Sequence, residues 1–455
     1  MREADSHSFL DAQPLPMSAL GGSVVSVWNR YRSVPIVYRL AAAFVLGVVV
    51  AFTVGPPAAA LAPIGDLFLR LLGMIVVPIV AFSLLSGVRR LSPARMGRVG
   101  GVVVGLYALT TTIAGIIGLG VANLLDPGTG VMLTGGSSDS AQPPGLREVV
   151  LGIVPENPIS ALARGDLLAI IFFIIVFAIA LALVRDRTDD ETVREGVETF
   201  FSLAEAGMEA MFTIVWGVME FGVLGVFALV AAELAGKDVG AIVALGSLVA
   251  VVTLAIAIHI AFTYLLVIVS GLVGKSPGSF LQGARNAMVT AFTIRSSSAT
   301  LPVTMSDAEE NLKIDESIYG FSLPLGSTAN MDGAAIRQAV TVVFAANVVG
   351  QSLGLGEQVA ILLVTVLISI GTAGVPGAGL IMLTVVLQQA GLPLTIVGFV
   401  AAVDPVLGRV ATLNNVTGDL AVSTLAAKWN DAIDLDDGVW ASGDSAPSGA
   451  PAVDD

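Results

Sequence analysis

The chain has 455 residues, 55% hydrophobic and 13% charged, with a mean hydropathy of +0.87 and a formal net charge of −14. So apolar a balance lies outside that of soluble domains and points to a polytopic membrane protein with the lipid bilayer as its main solvent. The absence of cysteine excludes disulfides, thiol catalysis and cysteine metal sites, two histidines argue against a zinc centre, and the acidic balance disfavours nucleic acid as a partner.

Residues 1–34 are polar and carry Arg2, Arg30 and Arg32 without a separate short apolar region, which reads as a retained cytoplasmic or interfacial lead. Apolar runs follow at 37–55, 60–88, 99–125, 167–184, 202–235 and 241–273, each able to supply the roughly 20 residues that cross a core of about 30 Å. Arg30, Arg32 and Arg39 precede the first run, and Arg89, Arg90, Arg95 and Arg98 join the second to the third, which predicts a cytoplasmic N-terminus. The uncharged link 56–63 and the Gly/Ser/Asp-rich stretch 126–144 then fall outside, and Arg185, Arg187 and Arg194 return inside. The acidic stretches 186–198 and 307–316 read as solvated loops, and the tail from Asp431 as disordered. His7 lies in the lead, whereas His259 lies in an apolar run and reads as a buried, hydrogen-bonded residue, with a proton relay as the alternative.

After residue 275 the pattern changes. Residues 279–294 and 299–311 are apolar arms too short to span, joined by Arg295-Ser296-Ser297-Ser298; residues 357–370 and 380–392 repeat this around a Gly-rich link from Gly371 to Gly379. Each pair predicts a re-entrant hairpin whose tip is buried in protein or lines a wet cavity, because lipid cannot satisfy free backbone groups. Each is followed by a longer helix bearing Asn and Asp: 318–350 holds Asn330 and Asp332, and 396–428 holds Asn415 and Asp419. Paired interrupted segments of this kind mark an inverted-repeat transporter with its site near the midplane, where half-helix N-termini favour anions and freed carbonyls favour cations. Asn415 and Asp419 share one helix face and present oxygens one turn apart, which suits a hard monovalent cation; a structural interhelical hydrogen bond is the alternative. In Asn330-Met331-Asp332-Gly333, the glycine is expected to permit local unwinding that frees carbonyls beside Asp332.

These motifs, with Thr300-Leu301-Pro302-Val303-Thr304 after the first tip, Gly374-Val375-Pro376-Gly377-Ala378-Gly379 and Asn415-Val416-Thr417-Gly418-Asp419, resemble those of the glutamate/aspartate transporters and bacterial dicarboxylate/amino acid:cation symporters. The likeness runs from about residue 37 to 428. It implies an all-α fold of eight transmembrane helices plus two re-entrant helical hairpins, a homotrimer and an elevator-type motion. Residues 35–275 would form the scaffold, with the third and sixth helices joining the transport core of 276–428, and 429–455 an acidic tail.

The resemblance also implies three sets of Na+ ligands: Gly326, Asn330, Asn415 and Asp419; Thr328, Met331, Ser369, Ile370 and Thr372; and Tyr107, Thr110, Thr111, Asn330 and Asp332. Sodium is therefore expected as the coupling ion. Ser296, Ser297, Ser298, Val375, Pro376, Gly379, Thr412 and Asn415 match the part that holds and covers a substrate carboxylate, the second hairpin tip acting as a lid. Three positions depart from the amino acid transporters: Gly408 stands where an Asp pairs with the substrate amine, Ala411 where an Arg takes a side-chain carboxylate, and Ala334 where Thr is usual. Arg337 replaces a Tyr, and with Arg295 and Arg409 it offers guanidiniums that either grip a solute carboxylate or pair internally with Asp404 or another acid.

The expectation is a sodium-coupled secondary active symporter of small anionic organic solutes, dicarboxylates or acidic amino acids, in the cell membrane with both termini cytoplasmic. A neutral amino acid symporter and a proton-coupled variant are alternatives within the family, and an anion channel from another class. An enzyme is disfavoured, since Ser296–Ser298 has no recognisable base or triad partner, and Gly274-Lys275-Ser276 lacks the preceding glycine of a nucleotide-binding Gly-x-x-x-x-Gly-Lys-Ser/Thr motif, Val269 standing in its place.

Overall fold

The computed structural model describes residues 30–31, 33–34, 36–89, 93–130, 151–152, 154–236, 240–370 and 378–443, and among them the regular structure is helical. The N-terminal half comprises α1 (Ile36–Val54), α2 (Ala62–Arg89), α3 (Pro93–Leu125), the short α4 (Pro158–Arg164), α5 (Leu167–Arg187), α6 (Glu191–Glu233) and α7 (Gly240–His259), which continues as a π-helix over Ile260–Val273. Among the described residues five helices are long and apolar enough to cross a membrane, or six if a bent C-terminal pair counts as one; the apolar stretch of α1, Tyr38–Val54, falls short of that length.

The acidic stretch 186–198 is not the expected loop. Asp190 caps α6, its side chain accepting from the amides of Thr192 and Val193, and Glu191 occupies the first turn. A carboxylate cap and an acid at the positive end of the helix favour helix over coil, and Arg185 reaches Glu198 at 3.6 Å.

Helices α1, α2, α5 and α6 pack together. In lipid, helix association depends on close backbone approach, and the glycines provide it here. Phe68 of α2 is fully buried against Gly222 and Gly225 of α6, where a Cβ on Gly225 would lie 2.5 Å from Phe68 Cβ. Leu229 of α6 projects between Gly65 of α2 and Gly398 near the C-terminal end of the chain, each too close to admit a side chain. Arg39 of α1 makes a two-pronged ion pair with Glu220 of α6 at 2.5 and 3.0 Å.

The C-terminal half contains α8 (Pro277–Gly283), α9 (Arg285–Ile294), α10 (Ser297–Ser306) with a π turn over Asp307–Asn311, α11 (Glu316–Ala329), α12 (Asp332–Val349), α13 (Leu355–Ile370), α14 (Ala378–Gln389) and α15 (Thr395–Trp429). The short arms α9 and α10 pack on each other, as do α13 and α14. Helix α15 is the axis of this group and touches α7, α9, α10, α11, α12 and α14, while α3 and α7 pack against α12 and α15 more than against α1 and α2. A bend of 74° separates Thr395–Ala401 from Val403–Trp429. Pro405 accounts for it, because a proline ring inside a helix displaces the carbonyl four residues earlier, here that of Ala401.

Two acidic segments differ from expectation. Asp307 is buried, accepting from the Ala287 amide at 2.7 Å and from the side chains of Asn286 and Asn311, so it fastens the base of the α9–α10 pair. The tail is ordered as far as residue 443: Ile433 bridges Ile314, Lys313 pairs with Asp437 at 3.2 Å, and buried Trp440 donates its indole N–H to the Leu312 carbonyl. An indole with a carbonyl to bind and an apolar cluster to enter holds a polar segment that its charge alone would leave in solvent. Residues 444–455 lie outside the described residues.

The Phe68 contact has a direct test. Gly225→Val is expected to lower stability by about 1–3 kcal/mol or more through overpacking, read as a lower melting temperature of the detergent-solubilised protein; an unchanged melting curve would contradict the close approach of α2 and α6.

Candidate ion and solute site

The expected break in the Asn330-Met331-Asp332-Gly333 segment is present. Helix α11 ends at Ala329, Asn330 and Met331 take non-helical backbone angles (φ −103°, ψ 82° and φ −110°, ψ 47°), and α12 starts at Asp332. Gly333, however, is not the residue that unwinds. It lies inside α12, where a Cβ would fall 2.7 Å from Ala411 Cα on α15, and its amide donates to Asn415 Oδ1 at 2.7 Å. Its missing side chain permits contact between two backbones.

Around this break gathers a buried cluster of oxygens. Asp332 accepts from Thr111 Oγ1 at 2.5 Å and from the Tyr264 hydroxyl at 2.6 Å. Asp419 accepts from Asn330 Nδ2 at 2.9 Å, and Asn330 Oδ1 accepts a longer bond from Thr110 at 3.4 Å. Gly326 faces Asp419 so closely that a Cβ would clash with its carboxylate and lie 2.6 Å from the Tyr107 hydroxyl, which donates to the Ser322 carbonyl. Asp332 and Asp419 are both buried, and among the described residues neither has a lysine or arginine partner. Two carboxylates among amide, hydroxyl and phenol oxygens form a hard-donor environment suited to monovalent cations. Two of the three expected ion sets are thus brought together: Gly326, Asn330, Asn415 and Asp419, and Tyr107, Thr110, Thr111, Asn330 and Asp332.

Of the remaining set, Thr328, Met331 and Ser369 are described with their side chains. Thr328 and Ser369 turn their hydroxyls to carbonyls of their own helices, Leu325 and Val366, and Met331 sulfur accepts from Asn415 Nδ2 at 3.1 Å. The side chain of Ile370 is not described, and Thr372, Val375 and Pro376 lie outside the described residues, as does the tip expected to act as a lid.

A second charged cluster lies at the tip joining α9 to α10. Arg295 ends α9 in the left-handed region (φ 63°), and extended Ser296 caps α10 by accepting from the Ala299 amide. Ser296 and Ser297 are buried while Ser298 is exposed. Arg295 Nη2 donates to Asp404 Oδ2 at 2.6 Å, and Arg337 Nη2 stands 2.7 Å from Asp404 Oδ1; all three residues are buried. The structure therefore gives Arg337 an internal partner, where the sequence left a solute contact or an internal pair open. Arg409 does not join them and donates to the Pro405 carbonyl of its own helix at 2.6 Å. Nor is Gly408 an empty position: a Cβ there would lie 2.7 Å from Arg295 Nη2, so its missing side chain makes room for that guanidinium. Gly379 does the same for Arg337, and its carbonyl accepts from Gln338 at 3.0 Å. Thr412 bonds the Gly408 carbonyl, one turn before Asn415 on the same helix.

Sequence reasoning missed Tyr264 as a partner of Asp332. The π-helix explains why: its wider turn puts residues five apart on one face, so His259 and Tyr264 meet edge to face at 4.7 Å, which α-helical spacing would not predict. His259 is buried with Nδ1 3.2 Å from Asn414 Oδ1, the hydrogen-bonded role expected of it.

A helical membrane protein that buries an acid pair among neutral oxygens beside an arginine–carboxylate cluster has the makings of a carrier for ions together with a charged solute. The chain belongs to the sodium:dicarboxylate symporter family, whose pattern matches residues 36–429. It is 34% identical over 384 residues to the proton/sodium-glutamate symport protein of Bacillus subtilis (strain 168), covering 81% of this chain and 86% of that one. It is 33% identical over 393 residues to the human neutral amino acid transporter B(0), covering 78% and 71%. With the C4-dicarboxylate transport protein of Azorhizobium caulinodans it shares 28% over 389 residues, covering 82% and 84%.

The contact of Gly326 with Asp419 yields a sharp test. Gly326→Ala forces a methyl group against the carboxylate and the Tyr107 hydroxyl, so cation-driven uptake should fall by about tenfold or more, as expected for a ligand shell displaced by even 1 Å. Elution from a sizing column should stay unchanged. Full uptake with an unaltered cation requirement would remove Gly326 and Asp419 from the ion site.

Proposed function

We propose that this protein is a cation-coupled secondary symporter of small anionic organic solutes, dicarboxylates or acidic amino acids, with Na+ as the coupling ion and cargo. The observation that carries the proposal is the buried Asp332 and Asp419 pair, bonded by Thr111, Tyr264 and Asn330 and lacking a lysine or arginine among the described residues. Two acids in so apolar a setting are stable as anions only with cations beside them. Gly326, Asn330, Asn415 and Asp419 form one ion position; Tyr107, Thr110, Thr111, Asn330 and Asp332 form a second. The names of the relatives support the class, since they include a proton/sodium-glutamate symport protein and a C4-dicarboxylate transport protein.

Arg295, Ser296, Ser297, Ser298, Gly379, Thr412 and Asn415 surround the solute, whose first carboxylate meets the start of α10. The α9–α10 and α13–α14 pairs are the re-entrant hairpins, and α3, α7 and residues 276–428 move as one transport core against α1, α2, α5 and α6. Family likeness supports a homotrimer, an elevator motion and a cell membrane setting with cytoplasmic termini.

Purified protein in liposomes under an imposed sodium or proton gradient, offered labelled dicarboxylates and amino acids, tests the proposal. Sodium-driven accumulation above the equilibrium level is expected, and Asp419→Asn should reduce it by about tenfold or more, since removing one group of a hydrogen-bonded charged site costs several kcal/mol. Accumulation driven by protons alone would replace Na+ with H+ as the cargo ion; flux that only dissipates gradients would replace the symporter with a channel.

A further inference from the structure

Arg295 and Arg337 share one carboxylate, that of Asp404, so the buried cluster carries one positive charge in excess. Its hydrogen bonding is also incomplete. Arg295 Nε and Arg337 Nε have no acceptor among the described residues, while Arg337 Nη2 stands 2.7 Å from Asp404 Oδ1. Buried donors without acceptors and an unbalanced charge at this depth are both costly, and both are relieved by one incoming anion. Gly408 of α15 makes room for Arg295, and Gly379 at the start of α14 makes room for Arg337.

We infer that Arg337, held with Arg295 on Asp404, is a specificity-determining residue that takes the solute's second carboxylate, and that the solute is an amine-free dicarboxylate. This rests on the proposed function. A dianionic solute sets one carboxylate at the start of α10 and the other against the excess positive charge, where a planar guanidinium fork matches it. A solute ammonium would find two guanidiniums nearby, and the acid of this cluster, Asp404, is already shared between them. Gly408 supplies no carboxylate in its stead. Succinate, which is aspartate without its amine, should therefore bind better than aspartate.

The test uses the full-length protein in liposomes under a sodium gradient, with labelled succinate taken up and unlabelled aspartate competing. In wild type, succinate should be preferred by about tenfold or more, the scale on which unmatched polar groups discriminate between otherwise similar ligands. In Arg337→Ala the ratio of the two affinities should collapse towards one. Arg337→Gln reads the same change if the alanine variant fails to fold, and Arg337→Lys, which keeps the charge but loses the fork, should retain the order with weaker succinate binding. The ratio separates recognition from general damage, because a merely structural role would lower both affinities together and leave it intact. Aspartate competing as well as succinate in wild type, or an unchanged ratio in Arg337→Ala or Arg337→Gln, would overturn the inference and leave the symporter standing. Failure of every solute to accumulate in wild type under either gradient would overturn both.

Discussion

Charge balance inside an apolar protein is the constraint on which this site depends. When ionised, Asp332 and Asp419 bring two negative charges to one place with neutral donors around them, and Arg295, Arg337 and Asp404 bring a net positive charge to another. Neither cluster is neutral by itself. Hydrogen bonds from Thr111, Tyr264 and Asn330 hold the acids in place but cannot remove their charge, and Asp404 cannot neutralise two guanidiniums. Cations at the first and an anion at the second would balance both, so the pattern of buried charge fits co-transport better than either solute alone.

Breaks in regular backbone bring these groups together. The non-helical angles at Asn330 and Met331 separate α11 from α12, the left-handed Arg295 turns α9 into α10, and the π-helix after His259 rotates Tyr264 onto Asp332. Each irregularity lies inside the protein, where side chains satisfy what a lipid-exposed backbone could not. Close approach completes the arrangement: Gly326 and Gly418 admit Asp419 and Tyr264 at distances any side chain would block, and Gly333 lets α12 lie on α15 at Ala411.

Much of this was legible because polar residues in apolar runs are conspicuous. Asn330, Asp332, Asn415, Asp419 and Arg295-Ser296-Ser297-Ser298 identify themselves by where they fall, and the broken helix follows from its own sequence. Asp404 was legible as an internal partner for the arginines, but not that Arg295 and Arg337 share it while Arg409 bonds the Pro405 carbonyl. What occupies the space beside Gly408 was not legible for a related reason: sequence records a missing side chain, but not the guanidinium of Arg295 that lies against it. Charge runs misled in the other direction, because Asp190 as a cap, Asp307 as a buried anchor and Trp440 on Leu312 turn expected loops into ordered structure. Thr328 and Ser369 bond carbonyls of their own helices, and residues 371–377, Thr372 among them, are not described.

The acid pair and the arginine cluster also share their supports. Asp332 is the first residue of α12 and Arg337 lies five residues further on, about 7.5 Å along the axis at 1.5 Å per residue. Helix α15 carries Asp404 on one cluster and Asn415 and Asp419 on the other. On the proposed function, a cation drawing in the oxygens around Asn330 and Asp332 fixes the start of α12, and with it the direction in which Arg337 projects. An anion that occupies Arg337 fixes the same helix from its other contact. Each ligand thereby lowers the ordering cost of the next, which yields positive coupling through one rigid element without a chain of small displacements. The clash that a side chain at Gly333 would make with Ala411 matters for the same reason, because any separation of α12 from α15 would loosen both clusters together.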